Sequence, residues 1–323
     1  MSKTDEDLNS AKCGVRKGHA DSLDLIPTRK QVEDGLKSEK WTVRLAWVKR
    51  TDWTPTAEQV ERGLGDEWNT NICIAWLERM DWTPTPEQAE RGINDSDGDV
   101  RTAWVNRMDW TPSPKQVERG ILYDDWMTRL AWVKRTDWTP TRKQVARGLN
   151  DEDCDVRVAW AQRTDWTPTP KQVDNGLGDT DSDVRAAWAN RTDFTPTPEQ
   201  VERGLKDTRW SVRRAWMKRR DWTPTPEQAE NGALYGDRET RLIWVGRRDW
   251  TPTSRQVEQG LEDEDVDVRV AWIVRTDWVP SHEQIESGLS SPASEISNAW
   301  MKRIMMENEK AICDEQSTTC PSL

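Results

Sequence analysis

The sequence predicts an all-α fold, a superhelical α-solenoid of about ten 28-residue, two-helix repeats. Three observations predict it. First, Asp-Trp-Thr-Pro or a close variant recurs along the chain, with its aromatic at Trp53, Trp82, Trp110, Trp138, Trp166, Phe194, Trp222, Trp250 and Trp278. Every step is 28 residues except the first, which is 29, and one step back from Trp53 lies Leu25, in a worn first copy, Asp24 to Pro27. Second, each period carries start and stop signals for two short helices. Third, each holds a second tryptophan on an apolar helical stripe. A fixed period of this size is the signature of stacked repeats.

The copy from Arg163 to Gly176 shows the first helix. Thr169 is its N-cap, Pro170 suits its first position, and Gln172 completes a Thr-x-x-Gln capping box. Gly176 is expected to stop it in the left-handed conformation. The glutamine recurs from Gln31 to Gln284 and the glycine from Gly35 to Gly288. In the second half, Leu177 to Arg191, the residues Val184, Ala187, Trp188 and Arg191 share one helical face. Asp179, Asp181 or Asp183 caps its start and opposes its dipole. Helices this short do not persist alone, and two tryptophans per unit fall far short of the backbone entropy of 28 residues, so neighbouring units must stack.

At the ends, the repetition fades. Residues 1–22 and 312–323 are polar and read as disordered segments flanking a repeat domain over 23–311. The last copy loses its acidic turn at Ser290 to Ser294, and its final helix runs on through Met301, Met305 and Met306. The 323 residues carry 47 Lys and Arg against 58 Asp and Glu, a net charge of −11 that disfavours a general nucleic-acid binder. Cys13, Cys73, Cys154, Cys313 and Cys320 are scattered, include no Cys-x-x-Cys pair and have only two histidines for company, which argues against a zinc site and fits a reducing compartment. No apolar run approaches the about 20 residues of a membrane helix, and the N-terminus has no apolar signal core. Together these point to a soluble, cytoplasmic protein with no cofactor, as a monomer or an oligomer of unknown order.

The strings Asp151 to Arg157 and Asp165 to Val173 resemble the leucine-rich variant repeats of the HEAT-like superfamily, a likeness that extends over residues 24–303. It implies alternating short helices in a superhelix. The chain departs from that pattern in its longer period and in placing tryptophan where small aliphatics are usual. Some members carry an N-terminal cysteine cluster for iron and sulfur; here Cys13 stands alone. The Thr-Pro-x-Gln-Val helix start is also similar to TAL-effector DNA-binding repeats, without their Gly-Gly-Lys-Gln stretch.

Six features could carry function. The tryptophans Trp47, Trp76, Trp104, Trp132, Trp160, Trp188, Trp216, Trp244, Trp272 and Trp300 could stack bases but read as core. Three residues after each stands an arginine, Arg50 through Arg303, whose guanidinium could track phosphates; an aspartate two residues on, as Asp165 after Arg163, favours an exposed charge pair resting on a Trp ring. The Asp-x-Asp-x-Asp turns, as at Asp95-Asp97-Asp99, resemble half a calcium loop, but position 12 is Asn106 rather than Glu, so they read as caps. Trp41, Trp68, Trp126 and Trp210 lie outside both aromatic ladders, three of them six residues before the core tryptophan in units one, four and seven, and are candidate partner contacts. Two residues after the core tryptophan one polar position changes from copy to copy, including Lys49, Lys134 and Lys218. The chain also ends Cys320-Pro-Ser-Leu323, with the spacing of a prenylation box.

No nucleophile, metal set or phosphate loop breaks the repetition, and an enzyme needs one unique place. The sequence therefore points to a non-enzymatic scaffold for another protein or peptide, with Trp41, Trp126, Trp210, Lys49, Lys134 and Lys218 as contacts. The alternative is nucleic-acid binding through the arginine ladders or DNA mimicry through the aspartate ladders. A HEAT-like DNA-repair glycosylase would need Trp, Asp and Arg converging in one cleft.

Overall fold

The computed structural model describes residues 26–65 and 69–318, with side chains to residue 309. Residues 1–22, Cys13, Trp68 and Cys320, each singled out in the sequence, lie outside the described residues. Among those described, the chain is all-helical, with twenty helices and no strand. They fall into two compact units, Met1–Gln172 and Val173–Leu323.

Local signals shape each repeat. In Pro198–Leu205, the Thr197 hydroxyl accepts the Gln200 N–H at 3.3 Å, while the Gln200 Oε1 accepts the Thr197 N–H at 2.9 Å. The second helix of the fifth repeat, Cys154–Gln162, starts on a cascade of aspartates: Asp151 accepts the Asp153 N–H at 3.0 Å, and Asp153 accepts those of Asp155 and Val156 at 2.9 and 3.2 Å. The Asp-x-Asp-x-Asp turn is thus a two-step helix cap.

The capping glutamine also joins repeats. Its Oε1 closes its own helix, and its Nε2 donates to a carboxylate on the preceding first helix. In the first unit Gln59 reaches Glu33 (3.0 Å), Gln88 Glu61 (2.9 Å), Gln116 Glu90 (2.7 Å) and Gln144 Glu118 (2.7 Å). In the second, Gln200 reaches Asp174 (2.6 Å) and Gln228 Glu202 (2.9 Å). The hydrogen bond from Lys37, then that from Gln59, holds the Glu33 pKa down at about 2.

The recurring glycine corrects the sequence reading. No described glycine has a positive φ, and the repeat glycine lies inside its helix or at its last residue rather than beyond it. Its role is close approach. A Cβ on Gly148 would stand 1.9 Å from the Trp160 Nε1, and the other nine repeat glycines meet their own core tryptophan at 1.9 to 2.2 Å. The core indole lies directly on the first helix, and any side chain there would displace it. All ten of these tryptophans are at most 3 % exposed.

The final helix, Ser294–Thr318, continues past residue 311, where the sequence ends the repeat domain. Met306 stands where the next aromatic would be, and Arg303 pairs with Glu307 at 2.8 Å in place of the usual aspartate. No described helix is long and apolar enough to cross a membrane.

Two outcomes follow from this packing. Gly148→Ala adds about 1 kcal/mol of helix propensity, yet overpacking against Trp160 costs about 1–3 kcal/mol; urea denaturation should show net destabilisation. A depressed carboxylate stabilises the fold fully above its ordinary pKa, 4.5 for Glu33, and that contribution is lost as pH falls through about 2. Circular-dichroism melts should therefore give a midpoint that falls across this window, with a shallower fall in Glu33→Gln.

Candidate functional site

The arginine after each core tryptophan is the joint between repeats. Arg135 donates through Nη1 to the carbonyls of Val105 (2.7 Å) and Arg107 (2.6 Å), and through Nη2 to that of Trp110 (2.8 Å). Its Nε and Nη2 also meet Asp137 at 3.0 and 2.6 Å. All five N–H donors of the guanidinium thus find acceptors. The carbonyls lie at and just beyond the C-terminal end of the preceding second helix, Gly98–Asn106, where the last groups lack intrahelical partners. The same set recurs at Arg79, Arg107, Arg163, Arg219, Arg247 and Arg275.

Aromatics hold the guanidinium from its face. It lies 4.6 Å from the Trp110 ring centroid, and Trp110 meets Trp132 edge-on at 6.1 Å and 90°. The Trp110 indole donates to the Trp104 carbonyl at 3.2 Å. Asp52, through its hydrogen bond, raises the pKa of Arg50, whereas burial lowers that of Arg247 despite Asp249. The sequence reads these arginines as exposed charge pairs. The structure buries nine of them, Arg163 almost as deeply.

The six sequence candidates fall on what this joint leaves over. Trp41 opens the helix Trp41–Val48 and is 45 % exposed; Trp126 opens Trp126–Lys134 and is 40 % exposed. Trp210 opens Trp210–Lys218 but is only half-buried, with the Arg213 guanidinium 5.6 Å from its ring. Steps of four residues put Trp41, Leu45 and Lys49 on one helical face, and likewise Trp126, Leu130 and Lys134, and Trp210, Arg214 and Lys218. The structure therefore groups each tryptophan with the lysine of its own repeat. All three lysines are exposed, as is Met127 beside Trp126.

A cleft of about 350 Å³ separates the C-terminal ends of the second helices in repeats four and five. It is lined by Lys134 and Thr136 from one and Gln162 and Thr164 from the other. Lys134 and Gln162 occupy the position that changes between copies, so in this cleft the variation faces a concavity.

No family model matches the chain, and no curated protein matches it. Among solved structures, it is similar to "a leucine-rich repeat variant with a novel repetitive protein structural motif", with a TM-score of 0.50 and 23 % identity. The match covers 68 % of this chain and 81 % of that one. At that identity the likeness is one of fold: the chain shares the helical repeat architecture of the leucine-rich variant structure.

Adjacent residues separate the joint from the open face. Arg135→Lys loses the fork geometry at a buried site and should cost at least about 3 kcal/mol. Lys134→Ala should stay within about 0.5 kcal/mol. Guanidinium denaturation of the two variants checks the contrast.

Proposed function

We propose that the chain is a non-enzymatic scaffold that binds another protein or peptide along the exposed face of its second helices. Trp41, Trp126 and Trp210 serve as aromatic anchors, with Lys49, Lys134 and Lys218 two helical turns further along the same face. One observation carries this reading: the side chains that repeat are consumed in holding repeats together, while those that vary face solvent. Half-exposed tryptophan is costly to keep in water and is the residue type that dominates binding hot spots. In repeats one, four and seven the residue after it is Thr42, Met127 or Ser211, where four other copies carry aspartate, so acidic flanking is reduced beside each anchor.

Nucleic-acid binding is the second reading. It asks the arginine ladder to track phosphates, and the burial of that ladder in backbone carbonyls weighs against it. DNA mimicry asks the aspartates to face outward, whereas many of them cap helices or pair with arginine.

Capture from nuclease-treated lysate by the wild-type chain and by the double variant Trp41→Ser, Trp126→Ser tests the proposal. We expect protein ligands that the variant loses by tenfold or more at unchanged melting temperature. An identical protein set in both captures, or nucleic acid as the sole specific ligand, would contradict it.

A further inference from the structure

A second arginine, three residues before the core tryptophan, has a recurring task. Arg129, Arg185 and Arg241 each pair with the carboxylate 22 residues on, Asp151, Asp207 and Asp263, with closest contacts of 2.8 Å. Each also donates through Nη1 to a backbone carbonyl in its own turn. The pairing ties one repeat to the next.

Arg213 departs from this scheme. The residue 22 positions on is Tyr235, and Arg213 keeps its Nη1 bonds to the Asp207 and Thr208 carbonyls, at 2.7 and 3.0 Å, with no carboxylate in hydrogen-bond contact with its remaining edge. Beside it opens a cavity of about 340 Å³ between repeats seven and eight, lined by Lys206, Arg213, Met217, Asn231, Thr240 and Trp244, among others. Lys206 is engaged with Glu202 at 2.5 Å, and Asp237, also in the wall, accepts the Thr240 N–H at 2.8 Å. The Nε and Nη2 of Arg213 carry no hydrogen bond, although its charge helps to lower the pKa of Asp237 and its guanidinium lies 5.6 Å from the Trp210 ring; Met217 and Trp244 supply an apolar wall.

Repeat eight departs from the preceding repeat beside this space. Ala229, Ala233 and Thr240 stand where the preceding repeat has Val201, Leu205 and Val212. Of these, Thr240 lies in the cavity wall, and Ala229 favours helix over the β-branched Val201. The helix Pro226–Tyr235 accordingly runs to ten residues and leaves Tyr235 63 % exposed at its end. The first unit holds a closed version of the same arrangement. There Arg101 lies 5.1 Å from the Tyr123 ring and meets Asp125 at 2.5 Å, and the Tyr123 hydroxyl donates to the Ile93 carbonyl at 2.5 Å. Arg101 itself, opposite Tyr123, and Arg269, opposite Ser291, likewise face a residue with no carboxylate at this step.

We propose that the cavity beside Arg213 is a carboxylate-binding site, taking the side chain of an aspartate or glutamate in a partner peptide, with a neighbouring apolar residue against Met217 and Trp244. A bidentate carboxylate on the free guanidinium edge reproduces the contact that Asp207 makes to Arg185. The peptide form of the ligand rests on the scaffold reading; the carboxylate preference rests on the geometry of Arg213.

The test uses the ¹⁵N-labelled full chain, titrated with acetyl-Leu-Glu-Leu-amide, its glutamine analogue and succinate. The glutamyl peptide and succinate should shift the Arg213 Nε and Trp244 indole resonances, with the glutamine peptide at least tenfold weaker. Arg213→Gln should abolish the response. Tyr235→Asp, which keeps Arg213 and restores the missing carboxylate from within, should suppress it at least tenfold. Equal binding of the glutamine peptide, or undiminished binding in Tyr235→Asp, would overturn the site. Succinate binding without peptide binding would overturn the peptide assignment. Because these variants leave Trp41 and Trp126 in place, failure here is distinguishable from failure of the anchor face.

Discussion

The fold depends on one guanidinium per repeat. A short second helix leaves its last carbonyls without partners, and ten such ends in one chain would be ten exposed or unsatisfied edges. The arginine of the following repeat answers them, reaching back to residues 30, 28 and 25 positions earlier, as Arg135 does to Val105, Arg107 and Trp110. Its own aspartate neutralises it and fixes its orientation. Burying a charge is costly unless it is paired and fully hydrogen-bonded, and this one is both. Helix capping and inter-repeat adhesion therefore come from the same side chain.

The aromatic packing follows from that placement. The guanidinium needs a flat, polarisable face, and the tryptophan of Asp-Trp-Thr-Pro provides it while its edge meets the core indole of the next repeat. Core indoles this large fit only because glycine removes the side chain on the facing helix. The arrangement carries a cost: the buried Nε1 of Trp47, Trp132 and Trp272 has no acceptor. Phe194 shows how far the position tolerates change, since Arg219 lies 4.5 Å from its ring and still donates to its carbonyl at 3.0 Å.

Features set by near neighbours in sequence were legible before the structure. The Thr-x-x-Gln box, the aspartate caps and the 28-residue period are local or repetitive, and the observed helices follow them. The glycine was misread because its reason is tertiary; the signal available was its 12-residue spacing to the core tryptophan, as from Gly148 to Trp160. The burial of the arginines was hidden because their acceptors are backbone carbonyls, which leave no mark in a sequence. For the candidate face, Trp41 and Lys49 each stand out in the sequence by variation between copies, and the eight-residue step between them is what aligns them on one helical face. Arg213 was legible in principle, since an aspartate 22 residues after its counterparts becomes Tyr235.

What repeats holds neighbouring repeats together, and what varies is free to address a ligand. Hydrogen exchange at the arginine Nε–H groups, read by NMR on the full chain, tests this division most directly. The account predicts that Arg79, Arg107, Arg135, Arg219, Arg247 and Arg275 exchange only when repeats separate, far more slowly than exposed Arg203 or Arg209. Ladder arginines exchanging as fast as those two would contradict it.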